Sequence, residues 1–260
     1  MAKSGVFSAG FGSGKEEAGS VAKIVRRGFV PEDAQQFDRK SVRKLQEARK
    51  DLAYLLNRGY PMRQSLTFIG NRHQFSTRQR MALMRACCGA AERESRLERE
   101  MTNSLEGETF YIDGFNLIIT LEAALSRSTI LFCMDGTARD LCGLRGTYQV
   151  IDKTDTALRL IKAWLEHAKI NKAVFMLDAP VSNSGRLKQH ILKRTEGGSF
   201  TREVQLVDHV DTLLCSKSGV VTSDSFILDR CGGWVNLARV IIKDAIPALR
   251  PVDLSGGLKW

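Results

Sequence analysis

Residues 109–125, TFYIDGFNLIITLEAAL, decide the reading of this chain. Residues 109–112 form a short run rich in aromatic and β-branched side chains, the composition of a strand. Asp113 closes that run, Gly114 loosens the backbone, and residues 116–126 read as a helical stretch. A strand that passes through an acid and a glycine into a helix is the start of a βα unit. The same alternation recurs downstream. Apolar runs at 129–134, 173–177, 203–207 and 219–222 are separated by helical stretches near 154–168, 184–195, 209–216 and 225–230. Gly232-Gly233 breaks the chain again, and residues 235–245 read as a last helix before Pro247. Alternation of this kind predicts an α/β fold with a mainly parallel central sheet.

Upstream of residue 106 the pattern is helical. Pro31-Glu32-Asp33 can open a helix, with proline early and acids in the first turn. Ser41 is a second candidate cap, and Val42, Leu45, Ala48, Leu52, Leu55 and Leu56 then recur at helical spacing. Gly59-Tyr60-Pro61 stops that helix, and a shorter one covers 62–69. Ser76 is expected to cap a single long helix reaching about Met101, whose alternating Glu and Arg at 92–100 read as a solvated face. Charge is concentrated here. Between Arg39 and Arg85 twelve basic residues face two acids, an excess equal to the +10 of the whole chain. Arg43, Lys44, Arg72, Arg78 and Arg80 belong to this excess, which suits phosphate backbones. Tyr60, Phe68, His73 and Phe75 are candidate stacking surfaces for bases. The expected division is therefore a tail over 1–28, a small all-helical basic domain over 29–105, and an α/β domain over 106–260.

Composition removes other classes. With 43% apolar and 26% charged residues and only five prolines, the 260-residue chain is neither fibrous nor wholly disordered. No apolar run approaches the length of a membrane helix; the best, 115–125, is interrupted by Asn116, Thr120 and Glu122. The N-terminal segment has no apolar core of a secretory signal, and Glu16 and Glu17 argue against an organelle transit peptide. Its GFGSGK word neither follows a strand nor completes a phosphate loop. Six cysteines without a CxxC pair, and four histidines without matching spacing, speak against zinc and for reduced buried thiols. A cytoplasmic location is the expectation.

Several apolar runs end in aspartate: Asp113, Asp135, Asp178, Asp208 and Asp224. Parallel strands share one carboxyl edge, so these acids are expected to converge where ligands bind in open α/β sheets. Crowded carboxylates repel, and a hard divalent cation relieves that repulsion. Each Asp taken singly also reads as a helix N-cap. Asp113-Gly114-Phe115-Asn116 and Thr222-Ser223-Asp224-Ser225 are the words richest in oxygen and amide donors.

The words FYIDGFNLIITLEAAL and VVTSDSFILDR resemble the PIN-like nuclease superfamily and its NYN branch. More closely, DLAYLLNRGYPMRQSLTFIGNRHQFSTRQRMAL, CMDGTARDLCGL and LDAPVSNSG resemble the family catalogued as domain of unknown function 434, over roughly residues 38–245. That resemblance implies a helical part followed by a PIN-like three-layer domain. It implies catalytic positions Asp113, Asp178 and Asp224, with Asn116 orienting a carboxylate or water. Asp135 is a further metal position; Asp140, Asp229 and the helical Glu122 also compete for the remaining acid, and Glu122 is expected to be a solvated helix residue.

The function so implied is a metal-dependent ribonuclease, with Mg²⁺ or Mn²⁺ activating water on an RNA phosphodiester. Arg139, Arg186 and Lys188 would hold backbone phosphates. The alternative is a catalytically silent RNA- or ribosome-binding protein with a vestigial acidic site. Asp135-Gly136-Thr137 hints at a haloacid dehalogenase-type phosphatase, but Cys133 stands where that family needs its nucleophilic Asp.

Overall fold

The computed structural model describes residues 25–103, 105–143 and 146–257. Most of the expected tail, residues 1–24 with its GFGSGK word, lies outside the described residues.

The helical part opens with α1 (Asp33–Gln36) and α2 (Arg39–Asn57). Asp38, not Ser41, caps α2: its carboxylate accepts the Ser41 backbone N–H at 2.7 Å. An acid is the better acceptor at that end, where exposed N–H groups and the helix dipole both favour negative charge. Helix α3 (Met62–Arg72) follows the Gly59-Tyr60-Pro61 break. Ser76 caps α4 (Thr77–Ala86) in a reciprocal capping box with Gln79. The single long helix expected from Ser76 is in fact two. Cys87 turns extended, the Ala86 carbonyl accepts from Met134 N–H at 2.9 Å, and α5 (Ala90–Glu98) restarts from Gly89. Asn57 Oδ1 accepts the Ala90 N–H at 2.7 Å and fixes that restart. A backbone carbonyl captured by a strand neighbour cannot continue a helical ladder, and periodicity alone does not reveal such a capture.

The α/β part then runs β1 (Thr109–Asp113), α6 (Gly114–Leu125), β2 (Ile130–Phe132), β3 (Ala138–Asp140), α7 (Thr154–His167), β4 (Lys172–Asp178) and α8 (Ser184–Arg194). It continues with β5 (Thr201–Val207), α9 (Val210–Leu214), β6 (Val220–Val221), α10 (Ser225–Leu228), β7 (Trp234–Val235), α11 (Leu237–Ala245) and β8 (Val252–Asp253). The main sheet has the order β5-β4-β1-β6-β7, and every pairing in it is parallel. Tyr111 faces Val174 on one side and Val220 on the other, so β1 is the central strand. The chain builds outward through β4 and β5, then returns to the other side of β1 for β6 and β7.

Two apolar layers sandwich this sheet. Phe110, Ile112 and Phe175 pack with α6, α7, α8 and α11, whereas Val174, Met176 and Val220 pack with α9 and α10. Helix α6 is buried on nearly every side, from Gly114 to Ala124. That explains its apolar run: a helix with neighbours all round needs no polar face. No helix among the described residues is long and apolar enough to cross a membrane.

The expected strand at 129–134 forms, but not in the main sheet. Strand β2 pairs antiparallel with β3 and parallel with β8 in a separate three-stranded sheet. The helical part packs on that sheet. Leu45, Leu52 and Leu83 share one core with Leu131, Cys133, Val252 and Leu254. The boundary near residue 105 thus separates element types but not cores.

Leu52 is fully buried in this shared core, so Leu52→Ala should cost ~2–5 kcal/mol. We expect the unfolding midpoint read by the fluorescence of Trp164 and Trp234, both in the α/β part, to fall with it. An unmoved tryptophan transition would show instead that the helices fold by themselves.

Candidate active site

Gly114 sets the entry to the site. A Cβ there would lie 2.5 Å from Leu177 Cδ2 and 3.1 Å from the Met176 carbonyl oxygen, so only glycine lets α6 start against β4. This holds Asp113 at the carboxyl end of the central strand, 7% exposed. Its Oδ1 accepts the Asn116 N–H at 3.4 Å, and its Oδ2 accepts the Thr222 hydroxyl at 2.9 Å. Asn116 Oδ1 in turn accepts both the N–H and the hydroxyl of Ser223 at 2.9 Å. Asn116 therefore holds the loop after β6 through its side chain and the Asp113 carboxylate through its backbone N–H. Asp224, at the end of that loop, caps α10 by accepting from Phe226 N–H at 2.8 Å.

Asp113 and Asp224 thus straddle the point where the strand order reverses, the gap between β1 and β6. Ligands of doubly wound sheets bind outside the strand ends at such a point. Asp178 ends β4 and accepts the Val210 N–H at 3.4 Å. Asp211, in the first turn of α9, was invisible to strand-end reasoning because it sits three residues beyond Asp208, the acid that closes the run. Its charge nevertheless reaches Asp113. Burial first, then the negative charges of Asp211 and Asp224, push the Asp113 carboxyl up to about 7 against the pull of Thr222 and Asn116. Asp211 is itself raised, by burial and by Asp224 and Asp178.

The remaining acids are committed elsewhere. Asp135, fully buried, accepts from Arg96 at 2.7 Å, Arg139 at 2.6 Å and the Thr137 hydroxyl at 2.7 Å. Burial alone would raise this carboxyl, but Arg139 and Arg96 outweigh it and hold it at about 2. Asp229 takes a two-pronged contact from Arg96 at 2.7 and 2.9 Å, and Asp140 accepts the Thr120 hydroxyl at 2.6 Å. Arg96 is consequently buried, contrary to the solvated face expected for its helix. Glu122 is not a solvated residue either. It is fully buried, bonded to Thr154, to the Tyr148 hydroxyl at 2.5 Å and to Arg27 at 2.8 Å. Among the described residues, no three His, Cys, Asp or Glu side chains are grouped tightly enough to hold a metal ion.

Of the expected phosphate-binding cations, Arg43, Lys44, Arg72 and Arg186 are exposed. Three others are structural. Arg139 donates to the Ser223 and Arg85 carbonyls at 2.7 and 2.6 Å, Arg78 pairs with Asp33 at 2.7 Å, and Arg80 bonds the Phe75 carbonyl at 2.9 Å. Phe75 is buried and so presents no face to a base, His73 stacks on it at 5.1 Å and is partly exposed, and Tyr60 and Phe68 are exposed.

A cleft of about 750 Å³ opens beside Asp224 and Asn116. Asn116, Ser223 and Asp224 line its α/β side, and Tyr60, Met84 and Cys88 line its helical side. A second cleft of about 630 Å³ adjoins Asp178, Asp208, Asp211 and Phe226.

Comparison with known proteins follows the same division. Residues 102–240, over half of the chain, match the family described as Domain of unknown function (DUF5616). The chain belongs to that family. Residues 44–99 match a second description, Protein of unknown function (DUF434). The DUF5616 segment carries β1 to β7 and both Asp113 and Asp224, while the DUF434 segment is confined to the helices. A relative, "Uncharacterized protein MJ0935" of Methanocaldococcus jannaschii, is 36% identical over 187 residues, 71% of this chain and 88% of the relative. No solved structure matches this chain.

The raised Asp113 carboxyl has a consequence for stability. The native state holds this proton more tightly than the unfolded chain, so stability falls as pH rises from about 4 to about 7. The upper bound is ~4 kcal/mol. With EDTA present, Asp113→Asn should gain on the wild type between pH 5 and pH 8 in denaturant midpoint. Parallel pH curves for the two proteins would contradict the shift.

Proposed function

We propose that the cleft is the active site of a metal-dependent ribonuclease with a PIN-like three-layer domain. One observation carries this reading. Burial first, with the charges of Asp211 and Asp224 added to it, raises the Asp113 carboxyl at the carboxyl edge of the sheet, and a neighbouring cation would relieve the part of that shift that is repulsion.

The donor set fits Mg²⁺ or Mn²⁺ in one form. Carboxylate oxygens are hard ligands, and Mg²⁺ is commonly held by one or two of them with waters and substrate phosphates completing the shell. Asp113 and Asp224 are suited to be those two, with Asp178 and Asp211 beyond them; Asp135 is not, because its oxygens serve Arg96 and Arg139. When bound, the ion would supply a nucleophilic water at neutral pH and charge stabilisation at the phosphodiester. The chain's own part is positioning. Thr222 and Asn116 fix Asp113 and the Ser223 loop, and Arg139 anchors that loop through the Ser223 carbonyl. The exposed Tyr60 and the cations Arg43, Lys44 and Arg72 support RNA as the partner. The six unpaired cysteines support a reducing, cytoplasmic setting.

A second reading is favoured by the lack of a tight three-carboxylate group among the described residues. In it the protein binds RNA or a ribosome and does not cut.

Mixed RNA incubated with Mn²⁺ and with EDTA separates the two. The nuclease reading expects cleavage only with the ion, falling by on the order of 10²-fold or more in Asp113→Asn or Asp224→Asn. Cleavage that persists in the triple Asp113→Asn, Asp178→Asn, Asp224→Asn protein would remove this mechanism. Tight RNA binding without any cleavage would leave the silent adaptor.

A further inference from the structure

Among the described Phe, Tyr and Trp residues of the α/β part, Phe226 is the one that is exposed, at 46%. Its place in the chain is two residues past Asp224. The Asp224 carboxylate accepts the Phe226 N–H at 2.8 Å, so ring and carboxylate are joined by the first turn of α10 and cannot drift apart. The ring forms part of the second cleft, beside Asp178 and Asp211, while Asp224 and Ser225 line the first. Phe226 therefore stands on the ridge between the two clefts.

The ring is also prepared for stacking. The Arg230 guanidinium lies 3.9 Å from its centroid, and Arg230 Nη1 donates to the Phe226 carbonyl at 2.9 Å, which pins the cation over the ring. A phenyl group with a guanidinium over one face keeps its exposed area on the remaining face and edge. A flat π-system is the natural cover for that area, and the paired cation adds attraction for an anionic strand. An aliphatic ridge would serve protein docking equally well; an aromatic–guanidinium pair beside carboxylates matches a nucleotide better.

We infer that Phe226, braced by Arg230, is a nucleobase platform that seats an unpaired base next to Asp224, so that the site takes single-stranded RNA. This rests on the cleft being an RNA site. Base pairing in a duplex would keep the base inside its stack and away from the ring.

Binding of a fluorescein-labelled dodecameric oligouridylate is measured by anisotropy in EDTA at low salt, where no ion-dependent cleavage intervenes. Phe226→Ala should bind about 5- to 150-fold more weakly than wild type, the range for losing one stacked base. Phe226→Leu should fail in the same way, whereas Phe226→Trp should keep the affinity and show indole quenching when RNA is added. A matched duplex should bind more weakly than the single strand and be insensitive to Phe226→Ala. Thermal melts of the variants verify folding. The platform is overturned if Phe226→Ala binds within twofold of wild type, if Phe226→Leu restores affinity, or if the wild type binds no RNA. It is also overturned if light scattering shows that Phe226→Ala only dissociates a self-associated form. Ring-dependent binding without Mn²⁺-dependent cleavage would keep the platform and remove the nuclease; cleavage without ring dependence would do the reverse.

Discussion

The pairing of β1 with β4 on one side and with β6 on the other is the constraint from which the rest follows. Because both ladders are parallel, all three strands discharge their chains at the same edge, and each needs a crossover that covers a face of the sheet. The reversal of strand order at β1 leaves that edge uncovered between β1 and β6. Asp113 and Asp224 lie on either side of the gap, tied together by Thr222, Asn116 and the Ser223 loop. The site is a product of topology first and of side-chain chemistry second.

A different kind of interaction holds the helical part to it. Arg96 on α5 and Arg139 on β3 share the buried Asp135, and Arg96 also grips Asp229 just beyond α10. Two arginines on one carboxylate leave a positive excess that Asp229 and the carbonyls of Ser223 and Arg85 absorb. Ion pairs of this depth add little net stability, but removing one partner leaves an uncompensated buried charge costing ~3–5 kcal/mol. Such a network specifies how the pieces meet more than how tightly they hold.

Much of this was legible in the sequence, and the failures have physical causes. Strand ends and their acids were readable because β-branched runs closing in Asp are local features. The capping box of Ser76 and the stop at Gly59-Tyr60-Pro61 were readable for the same reason. What a sequence hides is partnership across distance. Arg96 and Glu122 carry the charge of surface residues, and only Asp229 and Asp135, or Tyr148 and Arg27, make their burial affordable. Strand β2 looked like any other run, yet its partners are β3 and β8, and the helices pack on it. Asp211 was missed because helical offset, not strand position, carries it to the site. Arg78, Arg80 and Arg139 counted as free positive charge in the linear chain, although the fold spends them on its own carbonyls and acids.

The double grip of Arg139 has one more implication. Its guanidinium touches the Ser223 carbonyl on one wall of the larger cleft and the Arg85 carbonyl on the other. Prising the walls apart would cost this desolvated cation one of its carbonyl acceptors and leave it on Asp135, so the pair resists widening like a calliper with its screw tightened. Selection by such a gap works through girth and pliancy. A guest of such a slot would have to bend to it, because widening would cost the cation its contacts.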